Sequence, residues 1–238
     1  DQVKEIVAYA KARNVTVVPE IEMPGHSDAA LAAYPEFGCT GKPQQVRTSA
    51  GQLPGAEANF CAGKEQTFAF LQDVLQEVMQ LFPSTYIHIG GDEVDKKCWE
   101  NCNLCQQRMK TEGLKNVKEL QSYFIKRMGK FITGKGRKMI GWDEILEGGL
   151  APNATVMSWR GEKGGIEAAK MQHDVVMTPA KTLYFNRYQA DTIAYKQPLA
   201  AKFSINTIKK VYDYNPIPVE LNSSDAHFVL GAQGCIWT

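Results

Sequence analysis

Apolar positions along the chain alternate between a helical and a strand spacing from one end to the other. Val3, Ile6, Val7 and Ala10 recur at helical intervals before Asn14, and the apolar run Val15–Ile21 then reads as a buried strand, weakened by the missing amide of Pro19. Phe68, Leu71, Leu75, Val78, Met79 and Phe82 mark an amphipathic helix stopped by Pro83. Tyr86–Ile89 is a short apolar strand running into Gly90-Gly91, and a helix follows over about 96–112, closed by Gly113. Asn116 with Glu119 three residues on resembles a capping box, after which Leu120, Phe124, Met128 and Phe131 share one helical face. Met139–Trp142 and Thr155–Trp159 are the next strands. Lys163–Gln172 reads as a helix, Val175–Thr178 as a strand, Phe203–Tyr212 as a helix, and His227–Ile236 holds the last strand.

Strands alternating with helices argue for a parallel α/β sheet. At 238 residues the chain has the length of one (β/α)₈ barrel. No 20–50-residue repeat and no linker-like stretch interrupts it, so residues 1–238 are expected to be a single domain. Only six strands are legible, two short of a closed barrel. Residues 38–63 hold seven glycines and prolines with little periodicity, a loop longer than the usual connection.

Composition narrows the function. Hydrophobic residues make up 44% and charged ones 22%, which excludes disorder and coiled coil. With 27 basic and 26 acidic side chains there is no basic excess to capture nucleic acid. No apolar run spans a bilayer, and the first residues have neither the basic nor the apolar segment of a secretory leader. Six cysteines are optional in a chain large enough to build a core. Cys39 and Cys61 bracket the long loop and suit a bridge closing it. Cys98, Cys102 and Cys105 form C-x₃-C-x₂-C, but zinc needs four N/S ligands and no fourth lies nearby in sequence, so no metal is expected. Cys235 reads as a small core residue.

In a parallel α/β fold the chemistry gathers where strands end. Those ends carry Glu20, Glu22 and Met23-Pro24-Gly25-His26-Ser27-Asp28; Gly90-Gly91-Asp92-Glu93; Trp142-Asp143-Glu144; Ser158-Trp159-Arg160; Tyr184-Phe185-Asn186; and Trp237-Thr238. One such Trp is more often core than ligand platform, and an acid pair at a helix start answers the macrodipole. Three tryptophans at equivalent positions, interleaved with acids, point to an aromatic-walled sugar site. Asp92 and Glu93 are adjacent, and strand geometry would turn them to opposite faces. They therefore do not suit the acid and nucleophile that flank the bond in a conventional glycosidase. They suit two atoms of one substrate, one protonating the leaving oxygen and its neighbour holding another group.

Val18-Pro19-Glu20-Ile21-Glu22-Met23-Pro24-Gly25-His26, His88-Ile89-Gly90-Gly91-Asp92-Glu93, Gly141-Trp142-Asp143-Glu144, Ser158-Trp159-Arg160-Gly161 and Gly231-Ala232-Gln233 with Trp237-Thr238 resemble glycoside hydrolase family 20, the β-N-acetylhexosaminidases, in family order. The resemblance implies a (β/α)₈ TIM barrel of which strands 3–8 are present and the first two βα units missing. It implies retaining removal of terminal β-linked N-acetylglucosamine or N-acetylgalactosamine, with the substrate's own acetamide as nucleophile. Glu93 would be the general acid and base, with a raised pKa. Asp92, ionised, would hold the acetamide N–H. Tyr184 would aim the acetamide oxygen, Trp142, Trp159 and Trp237 would wall the pocket, and His26 would support the acid. No cofactor is implied. The partner is an oligosaccharide or glycoconjugate, the setting secreted, periplasmic or lysosomal, and the oligomeric state is left open.

Three departures accompany the resemblance. Asn186 stands where the family has Asp, the acid after Trp-Thr falls beyond Thr238, and the Arg and Asp of the first two strands lie upstream of Asp1. The 238-residue chain alone is accordingly expected to be inactive or very weak, which robust hydrolysis by it would overturn. The competing expectations are a related specificity, disaccharide-releasing or acting on sulfated sugars; a silent sugar-binding barrel, which would not need the acid pair; and a metal-dependent hydrolase using His26, Asp28 and Asp92, revealed by loss of activity on chelation.

Overall fold

A computed structural model describes residues 1–46, 57–191 and 201–237, and these divide into two compact units, Asp1–Ala154 and Thr155–Thr238. Gly51, Pro54 and Gly55 of the long loop, and Thr238, lie outside the described residues.

The first unit begins with α1 (Gln2–Lys11), none of whose residues is buried. The segment after it is not the regular strand its apolar run suggested. Val15 and Val18 are exposed, and the chain meets the sheet only further on, through a parallel bridge of Glu20 to His88. His88 N–H donates to Pro19 O, Ile21 N–H to His88 O and Met23 N–H to Ile89 O, each at 2.9 Å. Pro19 has no amide to give, so this ladder starts with a carbonyl and is confined to residues 19–23. The chain then crosses a cis Met23–Pro24 bond into α2 (Asp28–Ala33).

α3 (Glu65–Leu81) buries Thr67, Phe68, Leu71 and Leu75 on one face. It leads to β1 (Tyr86–His88), which pairs in parallel with β2 (Lys138–Trp142), Tyr86 opposite Lys138 and His88 opposite Ile140. The crossover carries α4 (Lys97–Glu100), α5 (Asn103–Thr111) and α6 (Val117–Gly134), so the helix expected over 96–112 is broken at Asn101–Cys102. Asn116 caps α6, its Oδ1 accepting from the amides of Lys118 and Glu119 at 2.9 and 3.1 Å. Glu119 reaches back to the Lys115 amide rather than to Asn116, at 2.8 Å. The buried stripe runs Leu120, Phe124, Met128 and then Ile132, with Phe131 turned half outward. Phe68 packs on Phe124 with ring centroids 4.9 Å apart, which joins α3 to α6.

In the second unit β3 (Thr155–Ser158), β4 (Val175–Met177) and β7 (Val229–Ala232) run parallel, β4 between the other two. α7 (Lys163–Lys170) makes the first crossover. Its Gly165 has no room for a Cβ, which would lie 2.5 Å from the Met177 methyl. A second parallel pair joins β5 (Arg187–Tyr188) to β6 (Ala201–Ile205). β6 corrects the helix expected from Phe203. Helix begins only at Ile208, where the Thr207 hydroxyl accepts from the Lys210 amide and opens α9 (Ile208–Tyr212). Five-residue apolar runs do not separate the two periods, and the cap decides where helix starts. The remaining short helices are α8 (Ala180–Leu183) and α10 (Ser223–Ala226). Among the described residues no helix is long and apolar enough to cross a membrane.

Candidate active site

Past β1 the chain turns on Gly90 (φ +66°) and Gly91 (φ +92°) and reaches Glu93 with φ +47°. The turn needs its glycines. A Cβ on Gly91 would lie 2.7 Å from Ile145, and one on Gly90 would overlap the Glu22 carboxylate. The Gln121 side chain of α6 donates to Gly91 O at 3.0 Å and fixes the turn from behind. His26 also has a left-handed backbone, φ +50°, on a loop pinned by Ser27 N–H to Ala58 O and Phe60 N–H to Pro24 O. Gly25 allows the close approach, since its Cβ would lie 2.9 Å from Asp92 O. Positive φ at non-glycine residues costs energy and concentrates at functional sites. His26 and Glu93 both show it.

These two turns bring His26 Nε2 to 3.3 Å from Asp92 Oδ2 and to 3.3 Å from Glu93 Oε2. The strand alternation expected for Asp92 and Glu93 does not apply, because both lie beyond β1 and the glycine turn aims them at one imidazole. Their environments still differ. The Asp92 side chain is 15% exposed and that of Glu93 57%, and Asp92 Oδ1 is buried with no hydrogen-bond partner. Nearby carboxylates sharply favour the charged form of His26. The Asp92 hydrogen bond raises it to about 9, against burial and with help from the charges of Asp92, Glu22 and Glu93. Asp28, at the head of α2, is not in this cluster. The one nitrogen and two carboxylate oxygens lie within 4.8 Å of one another, a span a divalent ion could also bridge.

Behind this cluster lies a carboxyl pair to which sequence reading gave no role. Burial pushes Glu22 up to about 9, and the Asp92 charge and a hydrogen bond with Glu20 push the same way. Glu20 and Glu22 share a face because they are two apart in an extended segment, and that spacing was the available signal. Glu20 also accepts from Trp142 Nε1 at 2.9 Å. Trp142 is 2% exposed and meets His88 edge-on at 4.9 Å. Burial holds His88 below its ordinary range.

Glu22 and His26 both bind protons more tightly in the folded chain, so stability falls as pH rises. Glu22 contributes this loss between 4.5 and about 9, and His26 between 6.5 and about 9. Urea midpoints should fall across that window, and Glu22→Gln, which mimics the neutral carboxyl, should flatten the fall. A flat wild-type profile would contradict the assignment. Gly90→Ala should destabilise more than Gly113→Ala. Both have left-handed backbone, worth about 1–2 kcal/mol to an alanine, but Gly113 has open space around its Cβ. Equal losses in thermal midpoint would show that the Glu22 contact is unimportant.

In the second unit Trp159 stacks on Tyr184 at 6.1 Å and 19°. Tyr184 is buried, on a parallel bridge to Cys235, and Asn206 Nδ2 donates to its carbonyl at 2.8 Å. Asn186 Oδ1 is buried without a partner, and Trp237 is 45% exposed. An open cleft of about 510 Å³ is lined by Trp159, Arg160, Glu162, Lys181, Arg187 and Tyr214.

The cysteines do not pair as expected. Cys39 and Cys61 are free thiols, and each lies against the C-x₂-C of Cys102 and Cys105. The long loop thus supplies two sulfurs beside Cys102 and Cys105, and Cys98 is not one of the four.

The chain is similar to known proteins over its whole length. A β-hexosaminidase of Porphyromonas gingivalis is 52% identical over the whole chain, which covers 30% of that protein. One from Vibrio furnissii is 34% identical, again over the whole chain and 38% of the relative. Among solved structures, the β-N-acetylhexosaminidase of Bacteroides fragilis superposes with a TM-score of 0.80 at 36% identity, over 99% of this chain and 46% of that one. An exo β-N-acetylglucosaminidase of Vibrio harveyi, in complex with N-acetylglucosamine, gives 0.85 at 26% identity, over 99% and 36%. The chain thus spans less than half the length of each of these relatives. Residues 1–238 match throughout the model of the glycosyl hydrolase family 20 catalytic domain, and the chain belongs to that family.

Proposed function

We propose that the protein carrying this chain is a retaining exo-β-N-acetylhexosaminidase that works through an oxazolinium intermediate. One observation carries the reading: Asp92 has one oxygen anchored at His26 and the other buried and unpartnered, beside the exposed carboxylate of Glu93. A buried acceptor without a donor is costly and calls for a ligand N–H. The acetamide N–H of an N-acetylhexosamine is such a donor. A sugar ring has no room between two carboxylates that share one imidazole nitrogen, which disfavours a second protein carboxylate as nucleophile.

In this reading protonated Glu93 gives its proton to the glycosidic oxygen as the C1–O bond breaks. The acetamide carbonyl oxygen bonds to C1 from the opposite face, and the positive charge spreads into the oxazolinium ring. Asp92 accepts the ring N–H and stabilises that charge. Water then attacks C1, Glu93 takes its proton, and the ring opens with retained configuration. His26 as imidazolium holds the Asp92 carboxylate and contacts the Glu93 carboxyl group. Tyr184 aims the acetamide oxygen, and Trp142, Trp159 and Trp237 are the aromatic walls, Trp142 from a buried position. Asn186 offers its unpartnered oxygen to a sugar hydroxyl. We read the strands as the third to eighth of a TIM barrel, and the setting as secreted, periplasmic or lysosomal.

The test is hydrolysis of an aryl β-N-acetylglucosaminide by the full-length protein against the aryl β-glucoside, which lacks the nucleophile. Activity on the first and almost none on the second is expected. Comparable rates on both would refute acetamide participation.

A further inference from the structure

Four cysteines from the long loop and from the start of α5 converge in the first unit. Cys39 Sγ is 3.8 Å from Cys105 Sγ, and Cys61 Sγ is 3.8 Å from Cys102 Sγ and 3.6 Å from Cys105 Sγ. All four sulfurs lie within 4.8 Å of one another, and the residues Cys61, Cys102 and Cys105 are buried. Two disulfides would draw sulfurs together in pairs at about 2.05 Å and give no reason for the pairs to share a centre. A tetrahedral metal does give that reason. Zinc–thiolate bonds of about 2.3 Å place the sulfurs about 3.8 Å apart. We infer that Cys39, Cys61, Cys102 and Cys105 form a structural zinc site.

The surroundings fit such a site. Cys102 and Cys105 have the C-x₂-C spacing of a zinc knuckle, and Cys102 is the N-cap residue of the nine-residue α5. Gly63 lies so close to Leu104 and Cys105 that a Cβ there would overlap their backbone, so only glycine lets the Cys61 turn approach. Cys98 stands aside. Its sulfur accepts from Asn59 Nδ2 at 3.5 Å and donates to Asp95 O at 3.3 Å. Four thiolates close the coordination sphere, which makes the site structural rather than catalytic. On binding, each ligand still protonated releases its proton to solvent, up to four protons per Zn²⁺.

The site would also tie together the loops that carry the acid pair and His26. Beside Cys61, Phe60 N–H donates to Pro24 O at 2.8 Å, and Phe60 O accepts from Trp99 Nε1 at 3.0 Å. The Asn59 amide donates to Asp95 O, two residues past Glu93. A metal under this junction would hold the His26 loop and the Asp92–Glu93 turn in mutual register.

The experiment is elemental analysis of the full-length protein, purified without a metal-binding tag and dialysed against zinc and then buffer. About one tightly held zinc per chain is expected, released by a thiol-blocking mercurial and detected with a metallochromic dye. Cobalt exchange should give the intense visible bands of a tetrahedral thiolate complex. Cys61→Ser and Cys105→Ser should lose the metal, while Cys98→Ser and Cys235→Ser keep it. Because buried-cysteine variants can fail to fold, the wild type is also denatured with chelator and without reductant. Peptide mapping should then find Cys39, Cys61, Cys102 and Cys105 as free thiols. A metal-free protein, a disulfide at any of these four cysteines, or zinc retained by Cys61→Ser or Cys105→Ser would overturn the site. None of these readouts uses glycosidase activity.

Discussion

In the full-length protein, Glu93→Gln is expected to lower turnover of a natural N-acetylglucosaminide about 10²–10⁴-fold. Aryl glycosides whose leaving group is already a weak base should lose much less. The reason is chemical: an alkoxide leaving group needs a proton in the transition state, and an activated phenolate does not. Position supports the assignment. Glu93 is the more exposed carboxylate of the pair, able to meet both an aglycone oxygen and an incoming water. Its left-handed backbone holds it at the end of the Gly90-Gly91 turn rather than on the strand. Gln keeps the size and removes the proton, so the fold and His26 should be little disturbed. Equal losses on both substrate types would argue against an acid role.

Asp92→Asn should show the opposite pattern. Its loss, on the order of 10²–10³-fold in kcat, should be similar for good and poor leaving groups, because in the proposed mechanism Asp92 acts on the charge of the forming ring and not on the departing oxygen. The variant also has a spectroscopic signature. Asp92 supplies the largest upward influence on His26, so the imidazole should titrate well below its wild-type value of about 9. An unchanged His26 titration, followed by NMR, would show that the two side chains do not pair in solution. A loss concentrated on poor leaving groups would transfer the acid role from Glu93 to Asp92.

Much of this site was readable in the sequence, and the exceptions have physical causes. Gly90-Gly91-Asp92-Glu93 stood out because paired glycines after an apolar strand mark a tight turn, and the structure shows that turn with both glycines at positive φ. His26 was expected to support the acid, but its direct contact with Asp92 was not legible, since it depends on a loop fold 66 residues upstream in the chain. Trp142 was read as a wall facing the sugar, and it is 2% exposed with its indole N–H on Glu20. A strand-end tryptophan serves core and site equally well in sequence. Glu22 looked like any strand-end acid. Only burial next to Asp92 and Glu20 shows that its protonated form is favoured.

Distance along the chain hid the cysteine cluster in the same way. Cys102 and Cys105 formed half of a ligand set in plain view, while the other half lay 41 and 66 residues away in a loop without periodicity. The strand at Val15–Ile21 failed for a local reason. Pro19 has no donor, so the apolar run announced a strand that pairs only at its end.

Whether the acetamide is the nucleophile is tested by inhibition of the full-length protein with a thiazoline analogue of the bicyclic intermediate. Intermediate mimics bind at least about 10²-fold tighter than substrates when the site is built for the intermediate. Inhibition of that strength is expected, greatly weakened by Asp92→Asn, which removes the charge opposite the ring nitrogen. A thiazoline that binds no more tightly than N-acetylglucosamine itself, with hydrolysis of the aryl glycoside intact, would contradict the acetamide as nucleophile.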